Sequence, residues 1–126
     1  MQKLIYEYAI VRIVPLVERE EFVNVGVIMF NKKHKTIGMR YQINEEKVKA
    51  LCAVADIEEM RQNLESFRMI ASGEKAGGPI ALLEPAERYR WLTAVRSATI
   101  QTSRSHPGFT MDSDKELERL FKEMVL

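Results

Sequence analysis

Phe22-Val23-Asn24-Val25-Gly26-Val27-Ile28-Met29-Phe30-Asn31, then Lys32-Lys33-His34-Lys35, then Thr36-Ile37-Gly38-Met39-Arg40-Tyr41-Gln42-Ile43, reads as one β-hairpin. In the first arm Val23, Val25, Val27 and Met29 line one face without interruption. Phe22, Asn24, Gly26, Ile28 and Phe30 line the other. In the second arm Ile37, Met39, Tyr41 and Ile43 face in, while Thr36, Gly38, Arg40 and Gln42 face out. A period of two is the mark of a strand, because successive side chains point to opposite sides. The cationic tip, with His34 among lysines, is a solvated turn that also discourages edge pairing.

Working outward, Leu4 to Val14 is apolar on both faces and reads as a strand covered on both sides or central in the sheet. Pro15 ends it. After Ile43 the period changes. Asn44 can cap a helix with Val48, Leu51, Cys52 and Ala55 on its apolar face. Asp56 with Glu59 resembles a capping box opening a second helix, whose stripe is Ile57, Met60, Leu64, Phe67 and Ala71. Gly73 is its stop. Glu74 to Glu84, with Gly77-Gly78-Pro79, reads as a mobile loop. Pro85 suits the first turn of a short helix carrying Tyr89, Trp91 and Leu92. Ala98 to Ser103 alternates weakly as a fourth strand, and His106-Pro107-Gly108 reads as a turn. Ser113 with Glu116 opens a last helix bearing Leu117, Leu120, Phe121, Met124 and Val125. The expectation is a single α+β domain over residues 1–126. Its mainly antiparallel four-stranded sheet is covered by helices on one face, in the order β-β-β-α-α-α-β-α.

The 126 residues, 46% of them hydrophobic, suffice for one core. A formal net charge of +1 provides no global field for nucleic acid or an acidic membrane, so electrostatic recognition must be local. The single cysteine, Cys52, allows no intrachain disulfide. The N-terminal apolar run is broken by Glu7 and Arg12, unlike a signal peptide, and no window approaches the ~20 apolar residues of a membrane span. The expected location is the cytoplasm, with no membrane partner.

No phosphate-binding loop, dinucleotide fingerprint or zinc-spaced Cys/His cluster is present, so no cofactor or metal is expected. Ser103 or Ser105, His106 and Asp112 lie too close in sequence to suggest a catalytic triad. Arg12 shares a strand face with Tyr8 and Ile10, and a buried arginine needs a carboxylate or a bound anion. Glu18 or Glu20 would serve structurally. Gly26 reads as a bulge or a close backbone approach, or else as a gap admitting a ligand beside Asn24. From Arg88 to Met111 there is no acidic residue, while Arg88, Arg90, Arg96 and Arg104 are accompanied by Ser97, Gln101 and other hydrogen-bonding side chains. That composition suits phosphate or carboxylate recognition. The structural alternative pairs these arginines with the acids of the last helix.

Tyr6-Glu7-Tyr8-Ala9-Ile10-Val11-Arg12 and Glu20-Glu21-Phe22-Val23-Asn24-Val25-Gly26-Val27, with the later Arg90-Trp91-Leu92-Thr93-Ala94, Arg96-Ser97, Gln101 and His106-Pro107-Gly108, resemble the bacterial family called domain of unknown function 3037. The resemblance covers nearly the whole chain. It implies a small cytoplasmic accessory protein and carries over no established activity. Where that family shows proline after Ala94, this chain has Val95.

The first functional expectation is a binding or accessory protein recognising an anionic small ligand or a protein partner through Arg12, Asn24, Arg96, Ser97, Gln101 and His106. The alternative is an enzyme on a phosphorylated or nucleic-acid substrate, with His106 as acid or base and Arg12 and Arg96 stabilising charge. A third reading is a nucleic-acid module using Tyr89, Trp91 and the arginines, which the net charge does not support.

Overall fold

The strand β1 (Leu4–Ile13) lies between β2 (Val23–Asn31) and an interrupted edge made of β4 (Ile100–Thr102) and β5 (His106–Thr110). On the far side β2 pairs with β3 (Thr36–Tyr41), and every pairing is antiparallel. These relations come from a computed structural model, which describes residues 3–126. The helices are α1 (Glu45–Leu51), α2 (Ile57–Ser72), α3 (Pro85–Leu92) and α4 (Ser113–Met124). The α+β order expected from sequence therefore stands, with a sheet of five strands rather than four. The additional strand is the expected turn His106-Pro107-Gly108, which pairs with Tyr8, Glu7 and Tyr6.

The helices do not share one face. Ala9, Val11, Ile13, Ile28 and Phe30 pack toward α2 and α3, with Leu64, Phe67 and Leu92 opposite. Tyr6, Val27 and Met29 pack on the reverse side against Leu120, Phe121 and Val125 of the α4 region. A sheet apolar on both faces needs cover on both, and the two-sided pattern of β1 already required it. Arg40 is exposed, as its outward place in the alternation predicts, and it reaches α4 with its guanidinium 4.7 Å from the Phe121 ring centre and 2.8 Å from Glu118.

Two bulges flank the middle of β1. Val11 pairs with Gly26 and Arg12 with Asn24, so Val25 has no partner on β1. Val23 and Val25 therefore share a core with Ile28 and Phe30, whereas Val27 and Met29 face α4. The single uninterrupted face expected for these valines is corrected by that phase slip. On the other edge Thr102 pairs with Val11 and His106 with Tyr8, leaving one residue too many between them. Ser103 secures this break. The Ile10 N–H donates to its Oγ at 2.8 Å, and its own N–H donates to the Ile10 carbonyl at 2.8 Å.

Local signals place the helix ends. Asn44 accepts from the Lys47 N–H and Asp56 from the Glu59 N–H, and Gly73 closes α2 in the left-handed region. The cap of α4 is Asp112 rather than Ser113, because the Asp112 carboxylate reaches the Lys115 N–H while Ser113 accepts from Asn31. The glycine loop expected to be mobile forms two 3-10 turns packed on α2. Cys52 is half-exposed at the end of α1 rather than buried in its stripe.

Tyr41 of β3 donates to Glu65 of α2 at 2.6 Å, and Arg68 holds the same carboxylate at 2.6 Å. Hydrogen bonds from Arg68, then from Tyr41, pull the Glu65 carboxyl down to about 2. A depressed acid stabilises the fold fully above its unfolded value, about 4.3. That contribution fades as pH falls toward the folded value. Urea unfolding of wild type and Glu65→Gln is expected to show a stability gap at pH 7 that closes by about pH 2. A gap independent of pH contradicts this role.

Candidate functional site

The helix α4 lies over β2 and β3. On the same face, β1 and its interrupted edge present half-buried Tyr8, Ile10, Arg12, Gln101 and His106. Arg12 is the cross-strand neighbour of Asn24 on one side and Gln101 on the other. Neighbours in a ladder lie about 5 Å apart between Cα atoms, so these three form one polar row across the sheet. Both bulges adjoin that row, and bulges commonly re-aim side chains beside sites.

Arg12 is the distinctive member. Its guanidinium carbon stands 4.0 Å from the centre of the Phe22 ring, a cation–π contact. Its Nε is buried and has no hydrogen-bond partner among the described residues. Burial pulls its pKa down, yet a guanidinium remains charged at any ordinary pH. The structural pairing with Glu18 or Glu20 does not form. In contrast, Arg19, Arg40, Arg61, Arg68 and Arg119 each meet a carboxylate at 2.6 to 2.9 Å. Asn24 donates from Nδ2 to the Met124 carbonyl at 3.1 Å, tying down the end of α4, while its Oδ1 is buried without a partner. Gln101 donates to the Ala98 carbonyl at 2.8 Å.

His106 shares this face but not this row. It lies opposite Tyr8, with ring centres 5.2 Å apart. Tyr8 is four residues from Arg12 along β1, a separation of about 13 Å.

Arg96 and Ser97 belong elsewhere, in the segment after α3. The Arg96 guanidinium lies 4.5 Å from the Trp91 ring centre and donates to the carbonyls of Trp91 and Ala94. It thereby closes the end of α3. Arg96 lines a cavity of about 250 Å³ with Phe67, Trp91 and Ile100, on the sheet face opposite Arg12. Ser97 is exposed beside it. Arg12, Arg96 and His106 thus do not converge.

The acid-free segment is not neutralised by α4 either. The acids Glu116 and Glu123 are held by Arg119, and Glu118 by Arg40. Arg88 donates to the Leu83 carbonyl at 2.7 Å, and Arg90 and Arg104 are exposed. Tyr89 is buried and stacked on Phe30 at 5.5 Å between ring centres, so it presents no surface for a base.

Residues 8–125 match the family described as Protein of unknown function (DUF3037). The chain belongs to that family. No curated protein and no solved structure matches it. Within this DUF3037 chain, the first resembling run supplies the bulged β1–β2 pair, and the second supplies the end of α3 and the interrupted edge. The first run therefore carries Arg12 and Asn24, and from the second run Gln101 stands beside them. No described helix is long and apolar enough to cross a membrane.

Proposed function

We propose that this chain is a non-enzymatic binding protein whose uncovered sheet face receives an anionic group at Arg12, carried by a small ligand or a protein partner. One observation carries the reading. Arg12 is half-buried, meets no carboxylate and makes no side-chain hydrogen bond to the described residues. Placing a guanidinium in partly desolvated surroundings without an acid costs free energy, and an incoming anion offsets that cost. Gln101 and Asn24 flank the position as further polar groups. The enzymatic alternative has less support, because His106 stands about 13 Å along the strand from Arg12.

Calorimetric titration with inorganic phosphate and with acetate tests the reading. Arg12→Ala is expected to weaken binding by roughly 10- to 100-fold, the effect of losing one charge-assisted contact. Arg96→Ala is expected to change it by less than about twofold, since Arg96 serves its own helix end. Equal binding by wild type and Arg12→Ala overturns the proposal.

A further inference from the structure

A groove of about 380 Å³ opens next to the Arg12 row, between α1 and the end of α4. Its floor is Phe22 with the start of β2, Val23 and Asn24. Leu51 and Ala50 form one wall, and Met124 and Val125 the other. Its lining is mainly apolar, and its volume falls within the range of small-molecule sites. Among the described residues that line it, Lys47 is the only charged side chain. Arg12 is not among the lining residues but adjoins two of them, stacked on Phe22 and paired in register with Asn24. The groove thus has an apolar body, one cation in its lining and a second beside it, with no carboxylate among its described lining residues.

We infer that the groove holds the apolar body of a small amphiphilic carboxylic acid whose anionic end meets Arg12 and Lys47. The anionic end rests on the reading of Arg12 given above; the apolar body rests on the groove. Asn24 lines the groove, with its Nδ2 committed to the Met124 carbonyl, so it fixes the groove's shape rather than the ligand. A simple mineral anion would leave the apolar walls unused. A neutral lipid chain would leave both cations unanswered. Charge and shape together select a molecule with both parts.

The test compares acetate, octanoate and 1-octanol, each titrated into the intact protein and followed by amide NMR shifts. Octanoate is expected to bind about 30-fold tighter than acetate, from partial burial of its methylenes. Ala50→Trp fills the groove from an exposed helical position. It is expected to abolish the octanoate advantage and leave acetate binding within about twofold, and Lys47→Glu is expected to weaken octanoate selectively. Equal binding of acetate and octanoate, both lost in Arg12→Gln, overturns the groove and leaves the Arg12 reading intact. Equal binding of octanol and octanoate, unaffected by Arg12→Gln, overturns the Arg12 reading and with it the acid. No binding of any probe overturns both.

Discussion

Phe121→Ala is expected to lower the free energy of unfolding by about 3–5 kcal/mol. Phe121 is 1% exposed and sits in the smaller core with Tyr6, Val27, Met29 and Leu120. Truncation removes a large ring from a closely packed layer and also the surface on which Arg40 rests. The consequence is more than local. The helix α4 has 12 residues and is marginal without its apolar face docked. Its side supports keep it in place only while it lies on the sheet. Tyr6 donates to Glu116 at 2.5 Å, and the Asn24 amide holds the Met124 carbonyl. Urea titration by circular dichroism measures the effect. A loss below about 1 kcal/mol contradicts the claim that α4 is integral to the sheet.

Gly26→Ala is expected to cost about 1–3 kcal/mol, an unusually large effect for one added methyl group. A Cβ at this position would lie 2.7 Å from the Arg40 carbonyl oxygen and 2.9 Å from the Tyr41 Cβ. The obstacle includes backbone of the neighbouring strand, which cannot swing aside as a side-chain tip does. Either β3 shifts outward or the Val25 bulge is lost, and a lost bulge moves Asn24 out of register with Arg12. The variant is therefore expected to lose both urea resistance and phosphate binding. Wild-type stability within about 0.5 kcal/mol would show that β3 yields easily and that glycine is not required there.

The same glycine shows what sequence conveys and where it stops. The strands were legible because alternation and apolar content mark them directly. Asn44, Asp56 and Gly73 were legible because a helix end needs a side-chain acceptor or a left-handed residue. Gly26 signalled a bulge or a close backbone approach, and both occur there, but the resulting change of face was not legible, since Val23 to Phe30 is apolar on both sides apart from Asn24 and Gly26 and a slip of phase leaves such a pattern unchanged. Pro107 and Gly108 read as a turn by their ordinary preferences. On an edge strand proline is tolerated, and Gly108 lets the Tyr6 ring cross where a Cβ would overlap it. Only the tertiary neighbour explains that glycine.

For the site, one signal was sound and one was incomplete. A charged side chain on an apolar strand face singled out Arg12, and the pairing register then joined it to Asn24 and Gln101. The run of uncompensated arginines suggested convergence, but net charge along a sequence ignores backbone carbonyls as partners. Arg88 and Arg96 find theirs in that way. Nothing in the sequence marks Phe22 or Lys47 as a site residue, because their places, against Arg12 and in the groove, depend on how β2 and α1 meet.

The most direct measurement is the NMR resonance of the Arg12 Nε–H during titration with acetate, assigned by its loss in Arg12→Lys. A saturable shift at that resonance, while the Arg96 signal stays fixed, is the expected result. An Arg12 signal that never moves, or one that moves only in step with every exposed arginine, contradicts the claim that Arg12 marks an anion site.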